Sequence, residues 1–213
     1  RDYDDWESLG NEGWSYDDIL PYFKKAEHNE RGEDEYHGVG GPLNVADLRT
    51  PNPYGNRFIA AARRLQHRLN PDCNGEEQEG VGWHQVTQKN GQRCSAAVAY
   101  LDPARQRPNL EIVTGAMTER LIMEGRRVTG ARYWRNGASR EARARREVIL
   151  SAGTFGSPQV LMLSGIGPAG HLRDHGVEVA HHLPGVGENL QDHIDFVAAY
   201  KTRGWDTFGL SLR

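Results

Sequence analysis

The stretch that decides the fold is Glu147–Pro168, EVILSAGTFGSPQVLMLSGIGP. It opens on Val148-Ile149-Leu150, a short unbroken apolar run of the kind expected for a strand buried on both faces. Ala152-Gly153 then strips away side-chain bulk, so that another backbone or a ligand can come close. Ser157 suits an N-cap and Pro158 a first helical position, which predicts a helix over Pro158–Ser164. That helix is apolar nearly all round (Val160, Leu161, Met162, Leu163) and is expected to be buried, with Gly165 closing it in a left-handed conformation. A strand running through a small turn into a capped helix has two readings: ordinary α/β core packing, or a place where a nucleotide is held.

Working outward, the chain divides by rhythm. Up to about residue 85 it is polar and rich in turns. Ser15 with Asp18 has the spacing of a capping box, and Pro21 is expected to break or kink the helix it opens. Residues 29–55 read as loop, and a helix is expected over Asn56–Leu69 with Phe58, Ile59, Ala62 and Leu65 on one face. Beyond, VGWHQVTQ alternates like a strand and Asn90-Gly91 signals a hairpin turn. Ser95–Leu101 reads as a helix that stops at Asp102-Pro103. Strands are expected at Leu110–Thr114, Glu119–Glu124 and Val128–Trp134, then a fourth through SREARARREVIL. Arg143 and Arg145 fit a solvated strand face better than an anion site. Ala169–His175 reads as a short helix closed by Gly176, and Val177–Val179 as a small strand.

Composition sets outer limits. A chain of 213 residues, 37% hydrophobic, can bury a substantial core. A net charge of −3 gives no case for nucleic acid as a partner. Cys73 and Cys94 lack the spacing of zinc or redox motifs and read as free thiols in a reducing compartment, with a disulfide as the competing reading. No apolar run reaches the length of a membrane span, and no leader opens the chain. A start at Arg1-Asp2-Tyr3 reads as the interior of something longer.

SAGTFGSPQVLMLSGIGP, followed by HLRDHGVEV and LPGVGENLQDH, resembles the second signature region of the glucose–methanol–choline (GMC) oxidoreductases. DYDDWESLGNEGWSYDDILPYFKKAE, GPLNV, CNGEEQEGVGWHQVTQKNGQRCSAAVAYL and RPNLEIVTGAMTERLI resemble earlier segments of that family, in order, so the likeness covers essentially the whole chain. The choline-dehydrogenase-like branch is the most similar. The resemblance implies an α/β fold with α+β character: part of an FAD-binding Rossmann-like domain with part of a substrate-binding domain. It implies a cap or substrate-side region at 1–85, flavin-domain sequence at 86–190, and the start of a substrate domain at 191–213.

The function implied is FAD-dependent oxidation of a primary alcohol, choline-like or other, to the aldehyde by hydride transfer to flavin. By resemblance, backbone at Met117-Thr118 meets the adenine, and Ser151-Ala152-Gly153 lies near the adenosine. Asp195 lies close to where choline-oxidising relatives place an acid facing a trimethylammonium group; relatives acting on neutral alcohols also keep an acid near here, and a solvated loop carboxylate is the competing reading. The G-x-G-x-x-G phosphate loop is not found in these residues: GVGENL, Gly185–Leu190, has Leu190 where the third glycine belongs. No residue here matches the family's catalytic base. His171 and His175, four apart, have no third ligand at metal spacing, and no metal is expected. The chain alone is thus expected to be inactive, to bind FAD weakly and to self-associate. A non-catalytic folding or partner-binding module is the alternative. Oxygen or a quinone is implied as electron acceptor, and the expected location is cytoplasmic or membrane-associated.

Overall fold

A computed structural model describes residues 1–198. They group into two compact units that part between Glu111 and Ile112. The stretch read as the start of a substrate domain, 191–213, lies largely outside the described residues.

The first unit begins with α1 (Asp2–Ser8) and α2 (Tyr16–Ala26). The Ser15 hydroxyl accepts from the Asp18 amide at 3.2 Å, and Asp18 accepts from the Ser15 amide at 3.3 Å, completing the expected capping box. Contrary to expectation, α2 runs unbroken through Pro21. The carbonyl that Pro21 deprives of a partner belongs to Asp17, near the helix start and in an exposed residue, where the lost bond costs little because solvent can reach it.

β1 (Glu27–Asn29) pairs in parallel with β2 (Leu43–Val45), a short strand inside the segment read as loop. Between them, Gly38 packs so tightly on α2 that an added Cβ would run into the Lys24 carbonyl. α3 spans Pro53–Arg64, earlier than expected. Asn52 caps it, accepting from the Tyr54 amide at 2.9 Å, Pro53 takes the first turn, and Gln66 at φ 66° closes the far end. VGWHQVTQ contributes only isolated bridges, Leu69 to Val81 and Ala46 to Val86, before the hairpin of β3 (Gln88–Lys89) and β4 (Gln92–Arg93). Its turn, Asn90-Gly91, has both residues at positive φ, 52° and 77°, as a type I′ turn needs. A π-helical turn, Ala97–Leu101, then runs directly into α4 (Asp102–Ala104); Pro103 sits in its first turn, where no amide is required.

The second unit is built on an antiparallel meander of β5 (Met117–Glu124), β6 (Arg127–Arg135) and β7 (Ala138–Arg143), with Asn136-Gly137 as the second tight turn. Arg143 lies on an exposed face, paired with Glu124 and Glu141, as a solvated strand face would be. α5 (Gly153–Leu163) packs on β5: Leu121, Val160 and Ile166 form the buried centre, with Met123, Val128, Ala131 and Leu161 around it. The Ser164 hydroxyl fixes this contact, accepting from the Leu121 amide at 2.8 Å and donating to the Val160 carbonyl at 2.6 Å. β8 (Ile166–Gly167) pairs in parallel with β9 (His181–His182), around α6 (Ala169–Asp174), whose Leu172 is 1% exposed.

Three strand expectations fail here. Leu110–Thr114, Val148–Leu150 and Val177–Val179 form no ladder among the described residues. Val148 and Leu150 still turn their side chains onto the Leu121 core, while Ile149 between them is 79% exposed. The alternation is real; a strand also needs a neighbour for its backbone groups.

Candidate functional site

Helix α5 begins five residues before the expected start, so Ser157 is not its N-cap. Instead the Ser157 hydroxyl reaches back and accepts from the Ala152 amide at 3.1 Å. That bond pins the Ser151-Ala152-Gly153 turn against the first turn of the helix. Gly153 stands at φ 82°, a left-handed conformation that glycine adopts without a steric penalty, and a Cβ there would meet nothing within 4 Å. The turn therefore opens on unfilled space. Ser151, Ala152 and Gly153 are all exposed, and so is Phe155 just beyond, at 77%. Amides in the first turn of a helix point outward without internal partners, so such an opening suits polar acceptor atoms.

Met117 and Thr118 start β5, the strand on which α5 packs, and both are exposed, Met117 at 72%. The second unit thus carries both candidate cofactor segments on packed elements. An all-apolar helix was expected to be buried; α5 instead buries Val160 and leaves Phe155 and Leu163 open. Asp195 is exposed, beyond the last strand. Among the described residues, no group of three His, Cys, Asp or Glu could hold a metal ion; the His171 and His175 rings meet edge to face at 4.5 Å.

The first unit holds a polar cluster that sequence reasoning missed. His37 is buried with a carboxylate at each ring nitrogen: Nδ1 lies 3.2 Å from Glu27, and Nε2 lies 2.8 Å from Asp72. Buried Asn29 donates to Glu27 and to Gln85, each at 3.1 Å. Burial alone would lower the imidazole's pKa. The hydrogen bond to Asp72, with the charge and hydrogen bond of Glu27, outweighs it, and the net shift is upward. Asp34, which accepts from the Tyr36 and His37 amides, shifts the other way: those bonds overcome its desolvation. The His37–Asp72 and Asn29–Gln85 bonds join residues 35 and 56 apart, so no local signal marks them; the Asn29–Glu27 bond and the Asp34–His37 turn are short-range.

Residues 1–195 match the family model described as GMC oxidoreductase. The oxygen-dependent choline dehydrogenase of Sinorhizobium fredii is 46% identical over 196 residues, covering 92% of this chain and 36% of that protein. The human protein named choline dehydrogenase, mitochondrial, is 46% identical over 195 residues, 92% of this chain and 33% of its own length. Among solved structures, an FAD-dependent oxidoreductase from Chaetomium thermophilum superposes with TM-score 0.82 at 30% identity, covering 90% of this chain and 36% of that one. A pyridoxine 4-oxidase from Mesorbium loti superposes with TM-score 0.79 at 34% identity, covering 86% and 36%. The chain spans about a third of the length of the curated relatives it matches.

Proposed function

The chain belongs to the GMC oxidoreductase family, with the α/β fold of its flavoenzymes, and on that premise we propose that it forms part of an FAD-dependent enzyme oxidising a primary alcohol to the aldehyde. The carrying observation is the match over residues 1–195 together with 46% identity to proteins named choline dehydrogenase, which makes a choline-like alcohol the favoured substrate. Residues 1–85 serve the cap and substrate side, 86–190 the flavin domain, and 191–213 begin the substrate domain.

The residues present fit the adenosine end of FAD. The Ser151-Ala152-Gly153 turn is small, exposed and open at Gly153, and the edge at Met117-Thr118 is equally accessible. Backbone at Met117 and Thr118 would hold the adenine, and the Ser151–Gly153 turn the adenosine, where Gly153 leaves room for close approach. Bound FAD supplies the hydride acceptor for the alcohol carbon. Asp195, exposed, would supply compensating charge to a substrate's trimethylammonium group, which cannot donate hydrogen bonds. Reoxidation is by oxygen or a quinone. No helix among the described residues is long and apolar enough to cross a membrane, and we assign the protein to the cytoplasm or a membrane surface, as a homo-oligomer.

Anaerobic addition of choline, and separately of a neutral primary alcohol, to the FAD-loaded full-length enzyme that contains this chain tests this reading. Bleaching of the oxidised flavin band with aldehyde formation is expected, stronger for choline. An unchanged spectrum with both alcohols contradicts it.

A further inference from the structure

The first unit holds a second chemically equipped feature, next in sequence to Asp72 of the His37 cluster. Cys73 Sγ lies 3.0 Å from His84 Nδ1. The pair faces a cavity of about 240 Å³ lined by Phe58, Asn70, Val81 and Trp83 as well as by Cys73 and His84 themselves. We propose that Cys73, with His84 as its base, is a nucleophilic site that takes small α,β-unsaturated carbonyl compounds, forming a covalent thioether.

Three observations carry this. First, the thiol is accessible and paired, unlike the other one. Cys73 is half-buried at the cavity wall, whereas Cys94 is 4% exposed and directed at the Pro42 carbonyl. Second, the loop presenting Cys73 is held from several sides. Arg31 donates to the Pro71 carbonyl at 2.7 Å, and Asp72, the residue before the cysteine, accepts from His37. Asn70, buried, accepts from the Asp72 amide at 2.8 Å while its own amide group donates to the Glu77 and Glu79 carbonyls. A nucleophile fixed in this way needs little reorganisation before it reacts. Third, the cavity wall beside the base is fixed. Trp83 donates from Nε1 to the Asn56 side chain at 3.0 Å, and its ring sits where a Cβ on Gly55 would be.

With the proton of His84 on Nε2, the thiol donates to Nδ1. Attack forms a bond from sulfur to the β-carbon of the unsaturated carbonyl compound. The π pair of the C=C bond moves to the α-carbon. The thiol proton passes to His84 Nδ1 and from there to that α-carbon, so the addition is complete with no leaving group and no oxidant. Phe58 and Trp83 offer the apolar wall against which such a planar molecule rests.

Acrylamide is the probe. The full chain is incubated with it under native conditions between about pH 6 and 8, where imidazole changes charge. Adducts at Cys73 and Cys94 are followed by peptide mass mapping. The expected result is that Cys73 reacts at least about tenfold faster than Cys94, and that His84→Ala lowers the Cys73 rate at least about tenfold and removes most of its reactivity at the acid end. A Cys73 rate equal to that of Cys94 in the folded wild type overturns the proposal. So does an H84A profile that coincides with the wild-type one. Should H84A unfold, Cys94 labelling rises to expose it, and the wild-type ratio and pH profile still decide.

Discussion

Replacing His37 by alanine removes one imidazole from between two carboxylates. Its side chain is 7% exposed, against 17% for Glu27 and 26% for Asp72. Breaking a fully buried ion pair from one side costs about 3–5 kcal/mol, because the remaining charge is left uncompensated. An exposed pair is worth about 0–1 kcal/mol. The carboxylates here are partly reached by water, so the expected loss at about pH 6 falls between these limits, about 2–4 kcal/mol, out of the total of about 5–15 typical of folded domains.

The sign of the pH dependence follows from the upward shift of His37. A raised pKa in the folded state means that the stabilisation is complete below the unfolded value of about 6.5 and is lost as pH rises through the folded value above it. The difference between wild type and H37A should therefore be largest near pH 6 and shrink towards about pH 9, leaving the packing of the neutral ring as the remainder. Urea unfolding at both pH values, followed by fluorescence of the Trp83 region, measures it. A difference that is constant, or that grows with pH, would refute the charged-clamp reasoning, as would a loss under about 0.5 kcal/mol at pH 6.

Leu121→Ala should cost about 2–4 kcal/mol in the same assay, since it empties the centre of the Leu121–Val160–Ile166 core; a cost below about 1 kcal/mol would mean that the core collapses without it. Gly38→Ala should destabilise the first unit by at least about 2 kcal/mol, because the new methyl meets backbone at Lys24 and not a side chain that could move away. Ser15→Ala should lose about 1 kcal/mol through its capping box, read as a lower urea midpoint with an unchanged slope. Asp195→Asn in the FAD-loaded full-length enzyme that contains this chain should raise KM for choline about tenfold and leave KM for a neutral alcohol unchanged; equal effects on both would remove the residue from cation recognition.

What the sequence disclosed was local. The Ser15–Asp18 box, the Asn90-Gly91 turn, and strands β5 and β6 all rest on contacts between near neighbours or on a two-residue period, and they are present. Residues that depend on distant partners were not visible. His37 meets Asp72 across 35 positions, and Asn29 meets Gln85 across 56. Cys73 and His84 are separated by a loop whose path no period describes. Val148–Leu150 has a strand's composition and a strand's inward side chains, yet pairing is decided by what lies alongside, which composition does not encode. The candidate cofactor segments were named through family resemblance. Local physics contributed the small, open turn and left its purpose undecided between packing and binding.

The central claim is that the Met117-Thr118 edge and the Ser151–Gly153 turn receive the adenosine half of FAD. Amide hydrogen exchange on the protein with and without FAD tests it most directly. Peptides covering Met117-Thr118 and Ser151–Phe155 should exchange more slowly with FAD bound, while Glu27–Val45 stays unchanged. Saturating flavin that leaves exchange in both of those segments unaltered would contradict the claim.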